Sequence, residues 1–506
     1  MKFNLIDSPW IPVHFLDGTH TEIGIKEAIL RSREIMELED ASPVVLVGLH
    51  RLLLAVLHRA LEGPTDMVQC RNLFKVGIPT DKMESYLTDW KDRFWLFHDT
   101  CPFFQVADLK GETHHWKCLF LELNDDNGKT LFDHTLCSSP GNLGPAKAAR
   151  HLVASQFLAI TGGKSETGYR KQSPAATAMR VLPIGKNLHD TLLFSLVPQG
   201  VDVFSKDIPV WEKSPLTMKG VMEKQKETNT ATGCVDLYTW QSRAILLKAG
   251  ENSDQVEKVS VMAGLPSGIP DDPMVPWKSD GKEKITPMRL PQEGVWTAFD
   301  SLMPDQQDGA MSPRVIRHAT ALARTVPERF PRHLLVIGLG ANQSKILRWT
   351  AEHWALPTVL IEDRQTRAEV RTLLDVAAQA SSGLNSALLL HAKEQLAYGT
   401  RDMKRQFYEG RARSFPARSG LSVLLEEGFH SVVARLVAGH DQDAVRLDWT
   451  HHVLTSLRFV WDRHRSEATG SRDMRAVTLA EMPVLCAMKA LQKDINALKG
   501  DSSDRT

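Results

Sequence analysis

Beyond Asp363 the chain changes character, and that change restricts its possible folds more than any single motif does. Prolines and strand-like alternation thin out, and four long stretches of helical periodicity follow, over Arg364–Leu396, Ala417–Val437, Gln442–Ser466 and Arg475–Leu498. Apolar residues recurring every three or four positions give each helix one face to bury, and four such helices can bury those faces against one another. The sequence therefore predicts a four-helix bundle over 364–500 and a frayed tail over 501–506. A chain of 506 residues is too long for one ordinary core, so the rest forms a separate domain, 1–363. Its pattern mixes short strands with helices, and the predicted class is α+β.

Within that domain a short strand pair is expected around Phe3–Phe15, then a Leu-rich helix from Val44 to Leu61, ended by Gly63-Pro64. The run VVLVGLHRLLLAVL is interrupted by His50 and Arg51 and falls short of the ~20 apolar residues of a membrane span, so it reads as a buried helix. A second helical stretch covers Met83–Phe97, and Trp90, Phe94, Trp95, Phe97, Phe103 and Phe104 read as core. AKAARHLVASQFLAI reads as a helix. Between Thr191 and Asp300, short apolar runs split by Pro and Gly, including LLFSLVP and DLYTWQSRAILL, predict strands and hairpins. Pro266–Lys284 reads as a long exposed loop or hairpin tip.

Lys plus Arg and Asp plus Glu each total 61, which argues against a free-standing nucleic-acid binder but leaves room for local basic patches on a subunit. Six cysteines form no C-x-x-C pair, so neither a disulfide framework nor a structural zinc is expected, and a reducing cytoplasm is the natural setting. The start MKFNLIDSPWIPV has no basic segment followed by an apolar run. His114-His115 with Cys118, and His134 with Cys137, lack companion ligand pairs at zinc spacing, and H-E-x-x-H and G-x-S-x-G are absent.

One stretch invites an enzyme reading. LLVIGLGANQSKILRW (Leu334–Trp349) looks like strand, glycine turn and helix, and TVLIED downstream ends in Glu362 and Asp363, where an acid would hold a ribose. Gln343, however, stands where the third glycine of G-x-G-x-x-G should permit close helix–strand packing, and no strand–helix repeats flank the fragment. GGKS at Gly162–Ser165 resembles a Walker A loop, but Leu158 occupies the first glycine position and a helix precedes it. The rival from another class is thus an NAD- or ATP-dependent enzyme built on 334–349.

The same glycine loops suit a nucleic-acid backbone. Glycine lets main-chain N–H groups approach phosphate closely, and Lys164, Arg170 and Lys171 add charge beside Gly162 and Gly163. A polar amide on a turn can enter the base stack as a wedge, at a cost of a few kcal/mol of unstacking.

Several segments together resemble the CasA family, the large subunit of the type I-E CRISPR surveillance complex Cascade. FNLIDSPWIPV (Phe3–Val13), PVVLVGLHRLLLAVLHRAL and WLFHDTCPFFQV resemble its amino-terminal signature. TLFDHT (Thr130–Thr135), DLYTWQSR (Asp236–Arg243) and GLGANQSKILRW (Gly338–Trp349) follow in the family's order. The resemblance covers essentially the whole chain. It implies a non-catalytic subunit, without cofactor or membrane attachment, that recognises the protospacer-adjacent motif in duplex DNA from the minor groove. There the base code is degenerate, and guide RNA pairing reads the remaining sequence. It further implies strand opening beside the motif and recruitment of a helicase–nuclease, with the guide RNA 5′ end and the other Cascade subunits as partners.

By the same resemblance Gln343 is the wedge, supported by Asn342 and Ala341, and Gly162, Gly163 and Lys164 form the glycine loop facing the motif. Phe132, Asp133 and His134 form the loop contacting guide RNA and neighbouring subunits, and Lys278, rather than Lys282, is the minor-groove lysine. Some relatives carry two C-x-x-C pairs that bind zinc; here only Cys137 and Cys234 fall in comparable regions, so no metal is expected. The linker Arg401–Arg418 holds six basic residues against two acidic ones. Arg401, Lys404, Arg405, Arg411 and Arg413 are its candidate DNA-backbone contacts, the alternative being a solvated inter-helix loop. A purely structural scaffold of a ribonucleoprotein is the third reading of the whole chain.

Overall fold

The computed structural model describes residues 2–121, 142–227, 229–250, 255–268, 271–279, 281, 285–291, 293–303, 309–326, 328–342, 345–355, 358–396 and 405–503. Two compact units emerge: Met1–Leu290 with Ser301–Leu356, and Pro291–Asp300 with Pro357–Thr506. The division thus falls seven residues before Asp363, and a ten-residue excursion, Pro291–Asp300, belongs with the helical part.

In chain order the described strands of the first unit are β1 (Ile11–Phe15), β2 (His20–Ile23), β3 (Ile35–Leu38), β4 (His114–His115), β5 (Lys164–Ser165), β6 (Gly168–Tyr169) and β7 (Arg180–Ile184). They continue with β8 (Arg243–Ala249), β9 (Val256–Ala263), β10 (Trp277–Ser279), β11 (Ile285–Pro287), β12 (Ala310–Met311), β13 (His333–Asn342) and β14 (Lys345–Ala355). All pairings between these strands are antiparallel, in the orders β2-β1-β3, β4-β9-β8, β5-β6, β11-β10-β12 and β14-β13-β7.

The core helix α1 (Pro43–Ala60) starts where expected: the Ser42 side chain accepts from the Val45 N–H at 3.3 Å, and Pro43 occupies the first turn, where no N–H is needed. It is long and apolar enough to cross a membrane, yet 83% of it is buried inside the protein. Arg51, in the middle of this helix, pairs with Asp272, and both are buried. A second buried helix, α2 (Pro145–Leu158), packs beside α1. The aromatic cluster is core in part: Phe94, Phe103 and Phe104 are buried, Phe94 and Phe103 stack at 5.0 Å and Trp211 joins them, whereas Trp90, Trp95 and Phe97 are half-buried at its margin.

Local assignments differ from the sequence reading in four places. The expected strand pair is β1 with β2, displaced towards residue 23, and β3 completes a sheet. The helix expected over Met83–Phe97 is Thr80–Asp89 followed by a single 3-10 turn, Lys91–Arg93. LLFSLVP is not a strand: Leu188–Ser195 is a helix, capped by the Asn187 side chain and buried on all sides. A short apolar run with neighbours all round carries no periodicity to separate helix from strand. DLYTWQSRAILL divides into a helical turn, Cys234–Tyr238, and β8 beginning at Arg243.

The largest correction concerns Leu334–Trp349, which is an antiparallel hairpin and not strand–turn–helix. β13 and β14 pair continuously from His333↔Ala355 to Asn342↔Lys345, with a bulge between Gly340 and Ala341. β7 pairs with β13 only over His333–Ile337, so the five residues Gly338–Asn342 have β14 as their sole strand neighbour among the described residues. At ~3.4 Å per residue the two-stranded arm runs about 17 Å past the end of β7. Gly338 serves packing: a Cβ there would sit 2.5 Å from the Leu290 Cβ.

The second unit contains α3 (Arg364–Leu396), α4 (Arg405–Arg413), α5 (Pro416–Val437), α6 (Gln442–Ser466), α7 (Gly470–Leu479) and α8 (Met482–Ser503). The expected helix over Arg475–Leu498 is therefore two, α7 and α8. Pro483 lies in the first turn of α8, the one place in a helix that tolerates its missing N–H. The excursion Pro291–Asp300 is stitched to these helices. The Trp296 ring lies 5.1 Å from Phe429, Arg418 donates to Glu293 at 2.5 Å, and Arg371 donates to Asp300 at 2.5 Å.

Candidate nucleic-acid interface

Three elements of the first unit carry the sequence-predicted DNA contacts. The first is the arm β13–β14. Its register leaves Gln343 and Ser344 as the two residues joining the strands, and both lie outside the described residues. Ala341 and Asn342 are the last residues of β13.

The second is the glycine hairpin β5–β6. Gly162, Gly163 and Lys164 are exposed. The Gly162 N–H donates to the Arg170 carbonyl at 2.8 Å, and the Arg170 N–H donates back to the Gly163 carbonyl at 3.2 Å. Lys164 lies on β5 opposite Tyr169, preceded by α2 and a short link. This is not a phosphate-binding P-loop, which needs a strand before and a helix after.

The third is the β10–β11 hairpin. Lys278 is exposed at its centre, paired with Thr286 on one side and Ala310 on the other. Lys282 lies outside the described residues. Part of the predicted exposed loop is in fact interior: Asp272, Met274 and Val275 are buried.

The start of β7 joins these elements. The Met179 N–H donates to the Met288 carbonyl at 2.8 Å and the Val181 N–H to the Met274 carbonyl at 2.9 Å, which ties β7 to both ends of the lysine hairpin. Arg180 pairs with Ile337 at the root of the arm. Its buried guanidinium donates to the carbonyls of Ala175 and Ala178, at 2.8 and 2.9 Å, and so holds the loop leading back to the glycine hairpin. Burial, then the nearby Arg51 charge, pulls the Arg180 pKa down to about 9, which still leaves it charged at pH 7.

The remaining predicted residues divide. Phe132, Asp133, His134, Arg401 and Lys404 lie outside the described residues, as does Cys137. In the second unit Arg405 and Arg413 flank Glu409, at 2.6 and 4.0 Å, so much of their charge is locally answered. Arg411 instead lies over the Phe415 ring and donates to Gln395 at 2.9 Å. Gln395 donates to Asp473, which also meets His391, and His391 shares a 2.8 Å hydrogen bond with His464. Sequence reasoning missed this polar knot, because its members come from separated helices.

The nucleotide-enzyme reading loses its footing. Gly338 and Gly340 lie within a strand, and Thr358–Glu362 is a helical turn, not a parallel strand. Asp363 caps α3, accepting from the N–H groups of Gln365 and Thr366 at 3.0 and 3.1 Å. No group of three or more potential metal ligands occurs among the described residues.

The class of fold is one seen among CRISPR-associated proteins. The structure of Thermus thermophilus CasA (Cse1) superimposes with a TM-score of 0.78 at 30% identity, covering 97% of this chain and 99% of that one. A chain of a CRISPR RNA-guided surveillance complex shares the fold with a TM-score of 0.71 at 18% identity, covering 92% and 99%. In sequence, CRISPR-associated protein CasA/Cse1 of Thermus thermophilus is 33% identical over 494 residues, 95% of this chain and 96% of the relative. The family model for CRISPR-associated protein Cse1 matches residues 4–458. The chain belongs to the Cse1 (CasA) family.

Proposed function

We propose that this chain is the large, non-catalytic subunit of a type I-E Cascade complex in the cytoplasm. In this reading it recognises the protospacer-adjacent motif in duplex DNA from the minor groove, starts strand opening for guide RNA pairing, and helps recruit the helicase–nuclease. The observation that carries the reading is the two-stranded arm β13–β14, which extends past its sheet and carries Gln343 where the strands join. Membership of the Cse1 family over nearly the whole chain supports the place in a guide RNA complex.

Each element has a physical part in this reading. A hairpin anchored by five residues of pairing to β7 is stiff enough to press an amide side chain against stacked bases. The exposed Gly163 lets the main chain approach the groove floor and phosphates, while the Gly162 N–H closes the hairpin on Arg170, and Lys164 and Lys278 supply charge. The minor groove offers few distinguishing donors, so such a reader tolerates related motifs. Phe132, Asp133 and His134 contact the guide RNA 5′ end and adjoining subunits. Arg401, Lys404, Arg405, Arg411 and Arg413 track DNA phosphates.

The test is strand opening by the reconstituted complex on a duplex with 2-aminopurine beside the motif. Gln343→Ala should abolish most of the fluorescence rise while guide RNA assembly stays intact. An unchanged rise removes the wedge assignment. A thermal shift of the free subunit with NAD or ATP should be absent; a shift would revive the nucleotide reading.

A further inference from the structure

DLYTWQSR has no part in the proposed function, and its last residue, like Arg180, is a buried arginine that donates to main-chain carbonyls. Arg243 begins β8 with 5% of its surface exposed. Its Nη1 donates to the Lys171 carbonyl at 2.6 Å and to its neighbour Ser242 at 2.9 Å, and its Nη2 donates to the Ile160 carbonyl. Ile160 and Lys171 are the residues just outside the two stems of the glycine hairpin. One planar guanidinium thus bridges both ends of the loop that carries Gly162, Gly163 and Lys164.

The clamp is itself held in place. The Arg243 N–H donates to Gln156 Oε1 at 2.9 Å, and Gln156 Nε2 donates to the Arg243 carbonyl at 3.1 Å, fixing the residue against α2. Gly264 lets the chain pass: a Cβ there would stand 2.5 Å from the Gln241 carbonyl oxygen and the Arg243 nitrogen. The far end of the hairpin rests on the same spot. Thr167 Oγ1 donates to the Ala263 carbonyl at 2.8 Å, and the Ala263 N–H donates to Ser165 Oγ at 3.0 Å. Ala263 is the cross-strand partner of Arg243. Both footings of the hairpin therefore meet at one residue pair.

For folding alone this is an expensive arrangement. The acceptors of the buried guanidinium are neutral carbonyls, and an apolar side chain of similar length would fill the space without desolvating a charge. We propose that Arg243 is a positioning residue for motif reading, fixing the separation of the hairpin's two ends so that the Gly163 main chain and Lys164 meet the duplex in one geometry. This inference rests on the reading that the hairpin faces the motif.

The experiment compares reconstituted guide RNA complexes carrying Arg243→Met, Arg243→Lys or Gly163→Asp. Affinities are measured for duplexes with the motif intact or scrambled, alongside amide exchange of the free subunit. Gly163→Asp adds charge to the exposed loop where a Cβ has room. It should weaken binding to the intact motif, and if it has no effect the hairpin does not face the DNA, whatever Arg243 does. Arg243→Met should lower the intact-to-scrambled affinity ratio about tenfold, the scale of one lost base discrimination. Arg243→Lys, which cannot fork between two carbonyls, should fall between. The amides of Gly162 and Arg170 should lose protection while those of Leu246 and Val259, in the adjoining strands, keep it. A ratio unchanged in Arg243→Met while Gly163→Asp is impaired overturns the inference, as does loss of protection spread evenly through β8 and β9. If Arg243→Met does not assemble, Arg243→Lys decides by the same two readouts.

Discussion

Removing Asp272 should cost more than removing the arginine it pairs with. Arg51 and Asp272 are 1% and 0% exposed, and the fully buried Arg180 feels both: Arg51 lowers its pKa and Asp272 raises it. The cluster therefore holds two cations and one anion. Asp272→Asn leaves the Arg51 and Arg180 charges buried without the carboxylate, and breaking a buried pair in this way costs about 4 kcal/mol. Arg51→Met leaves Asp272 with the Arg180 charge and the Met274 N–H, 3.0 Å away, so about 2 kcal/mol is expected. In Arg51→Met/Asp272→Asn only Arg180 remains charged, bonded to its carbonyls, and the cost should stay near that of Arg51→Met alone. The first unit has about 350 residues, and unfolding entropy of ~2.1 cal/mol/K per residue gives roughly 0.7 kcal/mol/K. The melting shifts by calorimetry should then be about 6 °C for Asp272→Asn and about 3 °C for each of the others. Equal shifts for the two single variants, or a double variant equal to their sum, would refute the argument that three charges act as a unit.

Acid should weaken the fold well before carboxylates protonate. Burial pulls the pKa of His50, His58, His318 and His464 down to about 4 and that of His151 to about 3, while in the unfolded chain each titrates near 6.5. The unfolded state thus takes up protons first. The stability these groups confer is complete above pH 6.5 and lost towards pH 4, at up to ~1.4 kcal/mol per pH unit for each. Urea midpoints should be level between pH 8 and 6.5 and fall from 6.5 to 5; a level profile throughout would contradict it. On the bundle, Arg411→Ala should reduce the salt slope of DNA binding by the assembled complex by about 1, and Arg405→Ala by less, because Glu409 already holds Arg405. Equal slopes for wild type and Arg411→Ala would leave α4 a solvated helix.

What the sequence disclosed depended on how local the determinants were. α1 was legible because a proline-led apolar run with a serine cap writes its own boundaries, and the bundle helices because their periodicity persists for several turns. The arm was misread for a definable reason. In the misread stretch the apolar residues Ile346, Leu347 and Trp349 span barely one helical turn, too few to separate a helical face from a strand. Only pairing with β13 decides between them. The membership of Pro291–Asp300 in the helical unit was illegible because it rests on Trp296, Glu293 and Asp300 meeting partners roughly 70 to 135 residues away. The clamp on the glycine hairpin is hidden likewise: DLYTWQSR stands out in the sequence, but that Arg243 reaches carbonyls 72 and 83 residues upstream is a tertiary fact.

That clamp grips the chain by its main-chain oxygens, at Ile160 and Lys171, and asks nothing of the side chains of Gly162, Gly163 or Lys164. Support and exposed surface are thereby uncoupled. Positions 163 and 164 can be varied while the seat beneath them stays put, whereas a Cβ at Gly162 would stand 3.1 Å from Arg170 Nε; on the proposed function, a change of motif preference then need not begin with a change of fold. On the proposed function the glycine hairpin is an exchangeable part in a fixed socket, and a library varied at 163 and 164 on an intact Arg243 is the place to look for complexes that read different DNA.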